Sequence, residues 1–314
     1  MRYYFAPLEG LTDSIYRQLH NKYFPGIDKY YTPFFSPTVH RSLTPKERRE
    51  LPMADSLSYN LVPQILTKNS QDFLWLAQQC LDLGYSEINL NLGCPSGTVT
   101  AKGKGSGMLQ NIDELDRFLN DIFTDSPLNI SVKTRIGFHN GEEFPALLDV
   151  FNRYPIYELT IHPRTRSAFY KGTVDMDTFK YAVNNSKNAL CFNGNICSVE
   201  DITQIERTYP NVQAVMLGRG LIGNPGMLAE TATDHKILQT FYSQLLDQYA
   251  ENFGSSRNAM FRLKESWSYL ICLFDGGEKL YKRLRKTTDI QEYCAISKEI
   301  FETIPLRNKL SPNW

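Results

Sequence analysis

The stretch NLGCPSGTVTAKGKGSGML, residues 91–109, delivers a cysteine and a proline, then runs through Gly97, Gly103, Gly105 and Gly107 with two lysines among them. Burial as an inert thiol is the usual fate of a cysteine, but the root of a mobile, glycine-rich loop is poor material for a packed core. An ordinary thiol, with a pKa near ~8.5, is mostly protonated at neutral pH. Cys94 is thereby equipped to donate a proton without activation, whereas a nucleophilic role would need a base or a cationic neighbour. Lys133 stands between Val132 and Thr134 in the strand-like SVKTRIG. An unpaired ammonium buried there costs several kcal/mol, so it calls for an anionic partner or an electron-rich ligand; a structural ion pair is the competing explanation. His162 is followed closely by Arg164 and Arg166 in LTIHPRTR. Three such donors together point to an anionic cofactor or substrate.

The segment GRGLIG, 218–223, matches G-x-G-x-x-G after a strand. A dinucleotide fold would need a second parallel strand with an acidic residue about 20 positions on, and that place falls in a helical stripe near Leu238. A phosphate site fits better, with FNGN (192–195) and LGRG (217–220) supplying glycines to the loops after the last two strands of a barrel. The P-loop pattern is absent, so nucleoside triphosphate chemistry is not indicated.

Elements must position these groups. Eight β-rich runs recur, at 2–8, 30–35, 61–66, 87–92, 130–135, 158–162, 189–193 and 214–217, with helical stretches between most of them. Asn69–Leu83 opens with cap-type residues and sets Phe73, Leu76, Ala77, Cys80 and Leu81 at helical spacing; Leu115, Phe118, Leu119 and Ile122 repeat the pattern. Eight βα units over about 225 residues predict an α/β fold, a TIM (β/α)8 barrel, in which chemistry sits at the C-terminal ends of the strands. A doubly wound sheet is the competing parse. From about Thr231 the strand signal stops, and Ile237, Phe241, Leu245 and Tyr249, then Met260, Leu263, Trp267, Leu270, Ile271 and Phe274, form apolar stripes of a small C-terminal helical domain. The expected domains are therefore 1–230 and 231–314. The run Lys282-Arg283-Leu284-Arg285-Lys286 is the densest basic segment, read either as a solvated helix face or as a polyanion contact.

Lysine plus arginine and aspartate plus glutamate balance at 34 each, which excludes a bulk electrostatic nucleic-acid binder but not a local basic face. The six cysteines form no C-x-x-C, so neither a zinc site nor a disulfide framework is expected, and no metal. No apolar run approaches the ~18 residues of a membrane span, and the start MRYYF shows neither the long apolar stretch nor the small-residue cleavage site of a signal peptide, so none is expected. The expected location is the cytoplasm, with no membrane and no obligate protein partner.

Together these segments resemble a known family, the tRNA-dihydrouridine synthases of bacterial type. The match runs in chain order through APLEGLTDSIYR (6–17), VPQIL (62–66), the cysteine loop, VKTRIG (132–137), IHPRTR (161–166), FNGNI (192–196) and VMLGRGLIGNP (215–225), and more weakly through FRLKESWSYL (261–270). The resemblance implies an FMN enzyme that uses NADPH to reduce the 5,6 double bond of particular uridines in tRNA. Hydride would pass from flavin N5 to uracil C6, and Cys94 would protonate C5. By position, Ala6, Pro7 and Leu8 would lie against the flavin ring; Gln64, Lys133 and His162 would hydrogen-bond it; Asn193, Gly194, Gly218 and Arg219 would hold its phosphate. Asn91 would contact the target uracil, and Arg164 and Arg166 would orient the substrate. Residues 1–230 would be the catalytic domain, and 231–314, with Lys282, Arg283, Arg285 and Lys286, would grip tRNA.

Gly97 stands where many members have lysine, Pro163 where glycine or alanine is usual, and Asn195 where an acidic residue is common. Two other functions are weighed: a flavin barrel acting on a free pyrimidine, of dihydroorotate type, and a tRNA-binding factor without catalysis.

Overall fold

The structure is a computed structural model that describes residues 1–38, 40–229 and 233–312. Its strands are β1 (Arg2–Phe5), β2 (Lys29–Tyr31), β3 (Leu61–Val62), β4 (Gln64–Ile65), β5 (Glu87–Leu92), β6 (Asn129–Arg135), β7 (Leu159–His162), β8 (Leu190–Phe192) and β9 (Ala214–Leu217). They form one sheet in the order β3-β2-β1-β9-β8-β7-β6-β5-β4. The two ends of that order are neighbours in the chain, because β3 and β4 are a single extended segment interrupted at Pro63, which has no N–H to give a ladder. The Pro63 carbonyl still accepts from the Asn89 amide at 2.8 Å. The sheet therefore closes on itself, and the eight predicted strands account for the nine segments of a TIM barrel. The predicted run 30–35 shortens to β2 plus a bridge from Phe35 to Ile65, with Pro33 between them.

Helices form where the periodicity places them. Ser70–Asp82 is capped by Asn69, whose side chain accepts from the Asp72 amide, and it buries Phe73, Leu76, Ala77 and Cys80. Leu81 is exposed despite its place in the predicted stripe. Ile112–Asp125, capped by Asn111, buries Leu115, Phe118, Leu119 and Ile122. Inside the barrel, Tyr4, Ala6, Tyr31, Val62, Cys191, Ala214 and Met216 form a buried cluster.

The chain makes two compact units. The first is Met1–Pro7, Asp28–Gly194 and Ile205–Met216; the second is Leu8–Ile27, Asn195–Gln204 and Leu217–Trp314. Asp13 shows why the segment after β1 belongs with the C-terminal helices. It caps the helix Ser14–Tyr23, accepts from the Tyr249 hydroxyl at 2.8 Å and pairs with Arg262 at 2.6 Å. Tyr16 meets Phe241 of the helix His235–Phe253 edge to face at 5.5 Å. In Ser256–Leu270, Trp267 is fully buried and donates to the Tyr293 hydroxyl at 2.9 Å. The C-terminal region is helical as expected, while the expected boundary at 230/231 lies outside the described residues.

Candidate functional site

Strand register assembles the site in the first unit. Asn91 pairs with Lys133, Lys133 with Thr160, Thr160 with Cys191, and Cys191 with Ala214. Residues in register on parallel strands share a face, and Cys191 and Ala214 belong to the interior cluster, so Asn91 and Lys133 face the barrel interior. Two residues further along, Arg135 pairs with His162 on the same face.

The amides form a relay. Asn91 Nδ2 donates to Gln64 Oε1 at 2.8 Å, Gln64 Nε2 to Asn89 Oδ1 at 2.8 Å, and Asn89 Nδ2 to Ser131 Oγ at 2.9 Å. At its outer end, Asn91 Oδ1 accepts from the backbone N–H groups of Gly93 and Cys94, at 3.0 and 2.9 Å. Asn91 thus fixes the turn on which Cys94 stands. The Cys94 carbonyl accepts from Ser106 N at 3.2 Å and Ser106 Oγ at 2.8 Å. The loop expected to be mobile is instead folded, as a helical turn Gly97–Thr100 and a 3-10 stretch Gly105–Gln110. Gly105, at φ +58, lies so close that a Cβ would stand 3.0 Å from the Cys94 carbonyl oxygen and 3.1 Å from its Cβ. Its glycine allows that contact rather than slackness. The Cys94 thiol is half-buried and in no disulfide.

Lys133 is enclosed by the barrel wall yet reachable by solvent, and its ammonium has no hydrogen bond or ion pair with any described residue. The structural ion pair considered from sequence is therefore not formed among them. Burial, reinforced by the Arg135 charge, holds its pKa down to about 8.

His162 is buried, and Arg164 Nη1 lies 3.1 Å from its Nε2. A guanidinium can only donate, so Nε2 accepts and the ring proton sits on Nδ1. Arg164 is itself buried, donating also to the carbonyls of Lys171 at 3.2 Å and Gly172 at 2.5 Å. Its guanidinium is thus engaged inside the protein. Arg166 lies between the rings of Phe138 and Phe169, at 5.1 and 5.0 Å, and reaches Thr100 Oγ1 at 3.4 Å; its Nε has no hydrogen-bond partner among the described residues.

Arg135 is buried and donates to the carbonyls of Gly93 at 2.8 Å, Thr165 at 2.8 Å and Phe169 at 2.7 Å, and it lies 5.2 Å from the Tyr170 ring. It joins the root of the cysteine loop to the loop after β7. Phe169 holds φ +51, a conformation that bulky residues rarely adopt, and the Arg135 bond to its carbonyl helps to keep it there. Sequence reasoning missed Asn89, Ser131 and Arg135. The signal was present, since Asn89 and Arg135 each lie two residues from a chosen inward-facing position on the same strand.

Also in the first unit, Ala6 is buried, Pro7 half-buried, and Asn193 Nδ2 donates to the Met216 carbonyl at 2.7 Å. Gly194 packs so tightly that a Cβ would meet Val174 Cγ1 at 2.8 Å, and the Pro163 carbonyl accepts from Asp175 N at 2.8 Å.

In the second unit, the Leu8 amide donates to Thr12 Oγ1 at 2.8 Å. Gly218 precedes the short helix Arg219–Gly223, and Arg219 Nη2 lies 3.4 Å from Asn195 Oδ1, a residue at φ +39. A Cβ on Gly220 would stand 2.1 Å from the Ile196 carbonyl oxygen, so these two backbones meet only through glycine. Lys282, Arg283, Arg285 and Lys286 all project from the exposed face of Glu278–Lys286, anchored by buried Leu284; Arg283 has Glu299 at 4.0 Å.

An ammonium without a partner among the described residues, beside amides with N–H groups to spare, is a donor set suited to an electron-rich ligand rich in acceptors. Among the described residues no three His, Cys, Asp or Glu side chains are grouped to hold a metal ion, and no helix is long and apolar enough to cross a membrane.

Comparison with known proteins agrees with this geometry. The family described as dihydrouridine synthase matches residues 4–287. The chain is 29% identical to tRNA-dihydrouridine synthase B of Pasteurella multocida, over 71% of this chain and 67% of that one. It is 24% identical to the probable tRNA-dihydrouridine synthase 1 of a Synechocystis strain, over 91% of this chain and 82% of that one. Among solved structures, the old yellow enzyme from Trypanosoma cruzi superposes with TM-score 0.52 at 10% identity, over 71% of this chain and 86% of that one.

Proposed function

This chain belongs to the dihydrouridine synthase family, and on that premise we propose that it is an FMN-dependent tRNA-dihydrouridine synthase that uses NADPH to reduce the 5,6 double bond of particular uridines. The observation that carries this reading is the Lys133 ammonium, enclosed in the barrel without a partner among the described residues and held to a pKa of about 8. Bound FMN would supply hydride to uracil C6, replenished from the nicotinamide.

Within the first unit, Lys133 and His162 would hold the flavin through charge and through Nδ1–H, with Gln64 behind them, Ala6 and Pro7 along the ring, and Asn193 and Gly194 toward its phosphate. Within the second, Leu8, Gly218 and Arg219 would contribute. Gln64 has an N–H left after its bond to Asn89, and Asn91 one left after its bond to Gln64. Asn91 would offer that remaining N–H to the uracil while its carbonyl keeps the Cys94 amide in place. Cys94 would hold the proton destined for C5. Arg164 would act through His162, by fixing its tautomer, and Arg166 would face the substrate from between its two rings. A uridine must leave its stack to reach such a site, so we infer a flipped base.

Residues 1–230 would form the catalytic domain and 231–314 the tRNA-binding domain. There Lys282, Arg283, Arg285 and Lys286 would meet backbone phosphates, which position RNA without reading sequence. We place the activity in the cytoplasm, with no obligate protein partner.

The test is reaction of the purified protein with NADPH and an unmodified tRNA transcript. Cys94→Ala is expected to remain folded and yellow while dihydrouridine formation falls about 100-fold or more. Turnover of orotate with none of tRNA would refute the reading, and full activity of the variant would refute the acid assignment.

A further inference from the structure

Resting on the tRNA reading above, we propose that Lys68, Lys102 and Lys104 form a binding site for backbone phosphates of the RNA, and that this site acts on the loop bearing Cys94. Lys68 follows β4, while Lys102 and Lys104 flank Gly103 in the cysteine loop. The Lys68 Nζ lies 3.4 Å from where a Cβ on Gly103 would stand, so it sits over the turn that separates the other two. Lys68 and Lys102 are exposed, and neither makes a hydrogen bond or ion pair with any described residue. Lys104 is half-buried, and its Nζ donates to Ser36 Oγ at 3.0 Å. The nearby carboxylate, Asp72, is paired with Arg41 at 3.3 Å. Four cations thus share one carboxylate. Partial burial, with the charges of Lys102 and Lys68, lowers the Lys104 pKa despite Asp72.

Like charges gathered in this way repel until an anion joins them. A phosphodiester chain is the anion that can bridge several at once, since it repeats its charge along its length. The helical turn Gly97–Thr100 adds nothing to this charge, because none of its four residues is ionisable.

The site is mechanically close to the thiol. Lys104 N donates to the Val99 carbonyl at 3.2 Å, and the next residue, Gly105, is the one packed against Cys94. A phosphate drawn to Lys104 therefore tightens the same turn whose Ser106 holds the Cys94 carbonyl. RNA docking and placement of the proton donor become one event.

The experiment is tRNA binding to the holoenzyme as a function of salt, for the unaltered protein and for Lys68→Gln/Lys102→Gln, whose exposed positions leave the fold intact. Loss of two phosphate contacts should make the log–log salt slope shallower by about 1.5 and weaken binding at least about 10-fold at low salt. The flavin spectrum and the rate of reduction by NADPH should not change. Lys104→Gln should in addition slow single-turnover dihydrouridine formation at saturating tRNA. An unchanged slope beside normal binding would overturn the proposal. So would weakened NADPH use with unaltered tRNA binding, which would assign the lysines to the dinucleotide phosphates. Failure of the unaltered protein to bind tRNA would instead refute the tRNA reading itself, and this site with it.

Discussion

Replacing Lys133 by methionine tests the idea that its ammonium is kept for a ligand. Its pKa falls from 10.5 to about 8 on folding, chiefly through burial. At ~1.4 kcal/mol per unit this is a cost of roughly 3 kcal/mol, an upper bound because solvent reaches the recess. The folded chain releases this proton before the unfolded chain does, so between about pH 8 and 10.5 the unfolded state binds more protons and stability rises with pH. Below about pH 8 the whole cost is present.

Lys133→Met keeps the volume of the side chain and removes the charge, so the flavin-free variant should be more stable than the flavin-free parent at pH 7. An unfolding entropy near ~2.1 cal/mol/K per residue converts 3 kcal/mol into a rise of about 5 °C in melting temperature. The gap should close as the pH approaches 10.5, the ordinary lysine value. FMN should reverse the order, because only the parent gains the charged contact. The measurement is a pair of thermal melts, with and without FMN, at pH 7 and pH 10. A flavin-free variant no more stable than its parent at pH 7, or a gap that does not shrink with pH, would refute the reasoning.

Gly220→Ala would place a methyl group 2.1 Å from the Ile196 carbonyl oxygen; the backbones must part, at a cost of about 3 kcal/mol or more, read as a lowered melting temperature and weaker flavin retention. Arg135→Met would release the three carbonyls it holds, of Gly93, Thr165 and Phe169. Proteolysis within 165–172 should become faster and dihydrouridine formation should fall, whereas unchanged proteolysis would show that the loop stands without it.

The barrel was legible because its strands carry their own punctuation and its helices their caps. Asn69 and Asn111 cap the two helices whose apolar spacing the sequence displays. Pro63 was less transparent, since a proline inside VPQIL marks a break without saying that the break closes the sheet. Of the candidate site, Lys133 stands out because a lysine amid strand residues is anomalous by itself. Asn89 and Ser131 do not, because a small polar residue in a strand gains meaning only from the neighbour that register brings beside it. Arg164 shows the converse: its type and place suit a substrate contact, but only coordinates reveal that its guanidinium is engaged by His162 and two carbonyls. The glycines of 97–107 were read as looseness, and at Gly105 they turned out to permit close packing against Cys94.

That difference alters how the proposed proton donor must be understood. A thiol on a slack loop would sample many positions, and each productive encounter would carry the entropy of ordering the loop. Here the Cys94 amide is bound to Asn91, its carbonyl to Ser106, and its Cβ faces Gly105. Asn91 is in turn set by Gln64 and, through Asn89, by Ser131 on the next strand. The backbone of the proposed acid is therefore positioned by the interior of the barrel before any substrate arrives, the kind of preorganisation that would make proton transfer efficient. What stays free to respond is the outer turn with its lysines. If the lysine site proposed above binds RNA, selectivity would lie there, because charge captured at Lys104 would act on a thiol whose inner contacts are already made.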